Sequence, residues 1–353
     1  MLLHDLHIGG YRGLRDLHLE GLGRVNVLIG QNNSGKSSVL EAAALLARPF
    51  DDAQWTRVIQ SRDSFLSDTP PHALWELFPC AEPLLFGGTR PKAEAIQLRG
   101  ELTSGLRTLE AVAHAQETAE RLPGGDLRIE VTAVLSAQNG NESGHYRLTR
   151  GGLISTAGGQ VRPALQSDRA VLLSPWSRLS SSWAMDLLST AIEQGKKTDA
   201  IAMLRLFDSE IDGLEIIKRF EQGRILVQHR TRGMPSLSTF GAGVHVAMTM
   251  AAAVSKARGG LLLVDEIETG IHHSMLVEVC SHLFAMAAAS DVQVFCTTHS
   301  LETIDALVTA AERSQQTDAL CGYRLDRSER EHTVRRYQGA KLSRLREGGV
   351  DLR

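Results

Sequence analysis

From its amino terminus the chain alternates apolar and polar residues at a period of two, over Leu2–Ile8 and Leu14–Leu19, which predicts two strands. Arg24–Ile29 (RVNVLI) is β-branched and apolar and runs into a glycine-rich turn. Lys36–Ala47 (KSSVLEAAALLA) then has helical composition and stops before Pro49. Strand, glycine-rich loop, helix is the order a phosphate-binding unit needs. From Asp51 to Arg205 the pattern is looser. Trp55–Phe78 reads as helical but is broken by Pro70 and Pro71. Ala93–Leu98, Leu127–Leu135 and His145–Thr149 read as strands between polar, glycine-rich turns (LPGGD, QNGNESG). Ser182–Phe207 predicts one or two helices, and Leu214–Phe220 with Arg224–His229 a hairpin across Glu221–Gly223.

The last third alternates cleanly. Helices are predicted at Val244–Ala257, Ser274–Ala289 and Leu301–Ala311, with buried strands at Gly260–Val264 and Val292–Cys296 between them. The close (LCGYRLDR, EHTVRRYQ, then a short helix) predicts a terminal hairpin. Such alternation builds a mostly parallel sheet covered by helices. The expected fold class is α/β: a mixed sheet flanked by helices, formed by residues 1–50 and 206–353, with residues 51–205 as an inserted α+β region. No internal repeat or low-complexity tract interrupts it.

Composition narrows the class. With 353 residues, 42% hydrophobic and 22% charged, the chain has material for a sizeable core. A net charge of −3 removes any global basic footprint for nucleic acid, which leaves only a local patch, for instance Arg230 with Arg232. The four cysteines, Cys80, Cys280, Cys296 and Cys321, have neither metal-ligand spacing nor a disulfide framework, and read as buried reduced thiols. The start, MLLHDLHIGGYRGLRDL, has no apolar signal core, and no apolar run is long enough to span a bilayer. The expectation is a cytoplasmic protein without membrane contact.

Gly30-Gln31-Asn32-Asn33-Ser34-Gly35-Lys36-Ser37 fits G-x-x-x-x-G-K-[ST]. The glycines let successive backbone N–H groups turn inward around a phosphate chain. Lys36 is expected to neutralise the outer phosphates, the Ser37 hydroxyl to ligate Mg²⁺, and the helix dipole to act on the same anion. Leu261–Val264 then delivers Asp265 and Glu266 to the end of a strand: Asp265 to hold the Mg²⁺ shell, Glu266 to take a proton from the attacking water. Cys296-Thr-Thr-His299-Ser300 ends the next buried strand, where a histidine can stabilise charge at the γ-phosphate. Finally, Ser238, Gly241 and Gly243 open the helix from Val244 as a second anion site. Since a P-loop already holds the phosphates in cis, this second site is expected to serve a partner subunit's ATP.

The order P-loop, signature, LLLVDE, TTHS resembles the ABC-type ATPases and, within them, the OLD family (overcoming lysogenization defect) and its stand-alone relatives. The resemblance rests on YRGLRDLHLEGLGRVNVLIGQNNSGKSSVLEA, PSLSTFGAGVHVAMTMA, GGLLLVDEIETGIHHS and VFCTTHSLETIDAL, about half the chain with the closing segment. It implies an ABC-type P-loop head that binds ATP and Mg²⁺, with Gly30–Ser38 on the phosphates, Asp265 on Mg²⁺, Glu266 as catalytic base and His299 as switch histidine. Glu268–His272 would match the loop that crosses to the partner subunit. Two departures stand out. The signature reads GAGV where a transporter has SGGQ, so Ser238 or Gly241 fills the serine position, and Gln97 is the one weak candidate for a Q-loop. Little more than fifty residues follow TTHS, too few for the Toprim nuclease of larger OLD proteins. The expected protein is an ATPase switch or scaffold, a homodimer or higher homo-oligomer acting with a separate effector in antiphage defence. The alternative is a DNA-clamping or DNA-repair ATPase of the chromosome-maintenance class. Nucleic acid binding is left open, although Asp51–Arg205 shows no sustained coiled-coil heptads.

Overall fold

The protein is described from a computed structural model, which covers residues 2–61, 74, 76–79, 94–121, 127–139, 142–149, 152–155, 169–219, 222–328, 332–349 and 351. The chain runs β1 (Leu3–Tyr11), β2 (Leu14–Leu19), β3 (Val25–Ile29), α1 (Lys36–Ala47) and α2 (Asp52–Gln60). Five strands follow: β4 (Ile96–Leu102), β5 (Gly105–Arg121), β6 (Leu127–Asn139), β7 (Glu142–Thr149) and β8 (Gly152–Ser155). Next come β9 (Ala170–Leu173), α3 (Ser181–Glu193), α4 (Lys197–Arg205) and the hairpin β10 (Ile211–Arg219) with β11 (Gln222–His229). The last third holds α5 (Ala242–Lys256), β12 (Leu261–Val264), α6 (His273–Ala289), β13 (Gln293–Thr298), α7 (Leu301–Arg313), β14 (Leu320–Arg327), β15 (His332–Gln338) and α8 (Gly339–Glu347).

A six-stranded sheet, order β15-β14-β3-β13-β12-β9, is parallel throughout except for its edge strand β15. β3 and β12 are buried at every position because both sheet faces are covered, as a parallel sheet requires. Side chains alternate across the sheet. Val25, Val27, Leu262, Val264, Val294 and Cys296 join the core under α3–α7. Leu28, Leu261, Leu263 and Phe295 pack instead with α1 and a second sheet.

That second sheet is seven-stranded, in the order β2-β1-β4-β5-β6-β7-β8, antiparallel at each pairing. α1 lies between the two sheets, and all its residues but Ser37 are buried. A helix apolar on every side needs such an environment. One buried amide stitches the sheets together. Gln293 of β13 accepts from Leu3 N (2.8 Å) and donates to Leu3 O (2.8 Å) and Gly23 O (2.7 Å).

Several expectations change. Residues 51–205 contribute strands to both sheets, since β4–β8 extend β1 and β2 while β9 pairs with β12. The predicted helix Trp55–Phe78 is helical over Asp52–Gln60, started by the Asp51 carboxylate accepting from Gln54 N, and helical again at Leu74; residues 62–73 and 75 lie outside the described residues. β5, the 17-residue strand, and the short β8 and β9 carry no prediction. Cys80, Phe220, Glu221 and the turns at 122–126 and 140–141 also lie outside the described residues. Cys280, Cys296 and Cys321 are buried free thiols. Among the described residues no helix is long and apolar enough to cross a membrane.

Candidate functional site

β3 ends at Ile29 and the chain turns through Gly30–Gly35 into α1. The turn needs left-handed backbone at Gly30 (φ +151°), Asn33 (φ +63°) and Gly35 (φ +94°). A Cβ at Gly30 would stand 2.5 Å from Leu325 O, and one at Gly35 the same distance from Leu14 Cδ2, so both glycines are required twice over. Lys36 Nζ donates to Gly30 O (2.7 Å) and Gln31 O (2.8 Å), folded back over its own loop. Burial pushes its pKa down, opposed by the charges of Asp265, Glu266 and Glu268.

At the start of α1, Ser37 Oγ donates to Asp265 Oδ1 at 3.0 Å. Thr297 Oγ1 donates to the same oxygen at 2.6 Å and accepts from Glu266 N at 2.7 Å, so one hydroxyl fixes both acids. Burial raises the Asp265 pKa, and the two hydroxyl donors work against that rise. Glu266 sits at φ +47°, strained for a residue with a side chain, and its Oε2 accepts from Thr269 Oγ1 at 3.0 Å. A cleft of ≈ 490 Å³ is lined by Ser37, Asp265, Glu266 and Thr269 on one side and by Glu41, Ser174 and Trp176 on others. The Ser37–Asp265 pair is a hard oxygen donor set of the kind that suits Mg²⁺ in a nucleotide site. The donors present therefore fit the ion.

Arg178, with no exposed surface, holds the strained turn, and the sequence offers no motif for it. Its guanidinium donates to three successive carbonyls, Asp265 O (2.9 Å), Glu266 O (2.7 Å) and Ile267 O (3.3 Å). Its own carbonyl accepts from His245 Nδ1 (2.9 Å) and Thr249 Oγ1 (3.3 Å) of α5. One residue thus ties the helix behind the signature to the turn bearing Glu266. Burial pushes Arg178 down to about 10, against the pull of Asp265, Glu268 and Glu266.

Other expected residues lie apart. His299 is about half exposed, its Nδ1 3.7 Å from Glu268 Oε1, and does not line the cleft. Ser238 and Gly241 are exposed and Gly243 is half-buried; none of the three borders the cleft. Gly243 has a steric reason to be glycine, since a Cβ would meet Gly270 O at 3.1 Å and Phe207 Cε1 at 3.2 Å. Gln97 is a correction: it lies in β4 of the antiparallel sheet and lines a different cavity with His7 and Glu110. The loop that does border the cleft beside β12 is Ser174–Trp176, after β9. His272 and His273 stack at 4.2 Å, and His272 Nδ1 accepts from Ser274 N to cap α6. No cluster of three metal-ligating side chains occurs among the described residues.

The family described as "AAA domain, putative AbiEii toxin, Type IV TA system" matches residues 25–122 and 204–305, more than half the chain. The chain belongs to this AAA-domain family. An ATP/GTP phosphatase of Helicobacter pylori is 20% identical across 91% of this chain and 92% of its own length. The uncharacterized protein MJECL10 of Methanocaldococcus jannaschii is 50% identical over 44 residues, 12% of this chain and 20% of that protein. The solved structure of an Smc head bound to the C-winged helix domain of ScpA superposes with a TM-score of 0.52 at 10% identity, covering 96% of this chain and 98% of that one. The fold of this AAA-domain protein is therefore that of the P-loop heads of chromosome-maintenance and ABC ATPases, as the sequence pattern implies. The finer resemblance to the OLD family is carried by none of these matches.

Proposed function

We propose that the protein is a Mg²⁺-dependent ATPase that acts as a nucleotide-controlled switch, two copies closing over two shared ATP molecules. The observation that carries this reading is the meeting of Ser37 and Thr297 on Asp265 Oδ1, with Glu266 lining the same cleft. Bound Mg²⁺ supplies positive charge against the outer phosphates. The amides of Gly30–Ser38 cradle the phosphate chain, while Lys36 exchanges the carbonyls of Gly30 and Gln31 for phosphate oxygens. Ser37 and Asp265 hold the ion. Glu266, with Oε2 held by Thr269, keeps Oε1 to take the proton of the attacking water, whose oxygen bonds to the γ-phosphorus as ADP leaves. His299 stands outside the cleft, and the resemblance to the ABC-type ATPases supports its part in stabilising the developing charge.

Exposure of Ser238 and Gly241 away from the cleft supports a composite site, because one chain then offers each nucleotide only one of two binding faces. A two-fold axis supplies the missing face twice. The test mixes two inactive variants, Lys36→Ala and the double variant Ser238→Arg with Gly241→Arg. Their mixed dimer contains one intact site, so partial ATPase activity is expected; no recovery while both variants still dimerise overturns the shared site.

The resemblance to the OLD family supports the remainder of the reading: a cytoplasmic switch whose conformation is read by a separate effector in defence against phage. Phage plating on cells that express the chain with and without its neighbouring genes checks it. A salt titration with duplex DNA separates this reading from DNA clamping. No submicromolar binding is expected at physiological salt, whereas tight binding with a steep salt slope favours the clamp.

A further inference from the structure

A second cavity, of ≈ 260 Å³, opens at the opposite end of β9 from the cleft. Four cations line it: Arg48 and Arg57 from the α1–α2 corner, Arg169 just before β9, and Lys256 at the end of α5; Trp183 and Gln194 complete the wall. No motif unites these residues, and the nucleotide chemistry uses none of them.

Their charges are not all paired among the described residues. Arg48 pairs with Asp51 at 2.8 Å, and Lys256 pairs with Asp186. Arg57 and Arg169 have no carboxylate partner among the described residues. Among the described residues Arg57 donates to Gln54 Oε1 at 3.2 Å, and it lies 5.2 Å from the centre of the Trp183 ring. Lys256 Nζ approaches the same ring at 5.0 Å, so two like charges share one aromatic face system. Burial and the neighbouring Arg48 push the Arg57 pKa down, against the pull of Asp51 and Asp186. Two of the wall residues carry a buried polar atom with no partner among the described residues, the donor Trp183 Nε1 and the acceptor Gln194 Oε1. A half-buried guanidinium without an ion-pair partner is costly, and so is a buried donor without an acceptor. An anion with several acceptor oxygens removes both costs.

We propose that this cavity binds a phosphate dianion, brought either as inorganic phosphate or on a small phosphomonoester. Arg57 and Arg169 supply the forked donors that suit phosphate, and Trp183, whose Nε1 has no acceptor among the described residues, stands in the same wall. Gln194 Oε1 accepts from a phosphate hydroxyl or from a hydroxyl of the ester. The volume is about half that of the nucleotide cleft, so a small ligand is favoured. Leu172 of β9 borders both cavities.

The test uses the full chain carrying Lys36→Ala, which removes competition from the P-loop. Sodium phosphate and glycerol 3-phosphate are titrated separately at constant ionic strength, followed by tryptophan fluorescence and calorimetry. Saturable binding is expected, weakened at least tenfold by Arg169→Gln and unchanged by Arg258→Gln, an exposed arginine outside the cavity. The tighter of the two probes identifies the source of the phosphate. Arg57→Gln is a supporting variant only, because it also frees Trp183; Arg169 is exposed, so its loss leaves the fold intact. Non-saturable signals, or equal affinity in the Arg169→Gln and unsubstituted forms, overturn the proposal. Equally, a 20-base-pair duplex that outcompetes both probes in an Arg169-dependent way overturns it in favour of a nucleic-acid surface.

Discussion

The two sheets divide the labour of the molecule. In the six-stranded sheet, the carboxyl ends of β3, β9, β12 and β13 lead into Gly30, Ser174, Asp265 and His299, so parallel strands gather four chemically distinct loops along one edge. In the seven-stranded sheet neighbouring strands run in opposite directions, and no such edge forms. Its β4 alternates buried and exposed positions, with Leu98 and Leu102 against α1 and Gln97, Arg99 and Glu101 outward. Apart from Gln97, the corrected Q-loop candidate, none of the residues expected to touch nucleotide lies in it. The sheets meet where Leu14 of β2 presses on Gly35. The parallel sheet concentrates reactive groups, and the antiparallel one braces the loop from behind.

The contrast is broken most severely by substitutions at the parallel edge. Glu266→Gln is expected to bind ATP yet lose turnover by about 10²–10⁴-fold, the usual yield of a general base, whereas Lys36→Ala loses binding. Single-turnover kinetics with labelled ATP checks both, and equal hydrolysis rates in Glu266→Gln and the parent protein would remove the assignment of the base. Arg178→Met leaves three turn carbonyls without their donor, and should cost about 4 kcal/mol in urea unfolding while lowering turnover. Partial recovery of turnover in Arg178→Lys, at matched stability, marks positioning rather than mere packing. On the antiparallel side, Leu109→Ala in β5 should cost about 3 kcal/mol with ATP affinity retained in the folded fraction. Its outward neighbour Arg99→Ser should cost less than about 0.5 kcal/mol.

The smallest effect is a pH slope. Burial lowers the pKa of His245 from its ordinary value near 6.5, and the hydrogen bond from its ring N–H to the Arg178 carbonyl works against that fall. The unfolded chain then binds the proton more readily than the native one, so the contribution is complete above pH ~6.5 and is lost as pH falls toward the lowered value. His332 has the same sign, from burial and Arg327. His245→Gln should flatten the acid side of the stability curve; an unchanged slope refutes the contribution.

Legibility followed the same division. α1 coincides with the helix expected at Lys36–Ala47, and β12 and β13 fall within a residue or two of theirs, because doubly buried parallel strands read as unbroken apolar runs. β5 could not be read. Its segment, Gly105–Arg121, is rich in Ala and Glu and poor in β-branched residues, and it is a strand because β4 and β6 pair with it on either side. β9 has only four residues, and its identity comes from parallel pairing with Leu261–Val264. Thr297 stands inside a stretch singled out for His299, yet its link to both acids appears only when β13 lies beside β12. Arg178 is 87 to 89 residues from the carbonyls it holds, a separation at which no local pattern carries information.

Gln293 gives the two sheets a shared fate. Its amide spans from β13 to Leu3 and Gly23, and it is 1% exposed, so neither sheet can peel away without stranding buried hydrogen-bonding groups of the other. Amide hydrogen exchange should then show β1 and β13 opening as one cooperative unit, at the free energy of global unfolding, with the outer strands opening earlier. In Gln293→Leu the protection of β1 should drop below that of β13, dividing one foldon into two.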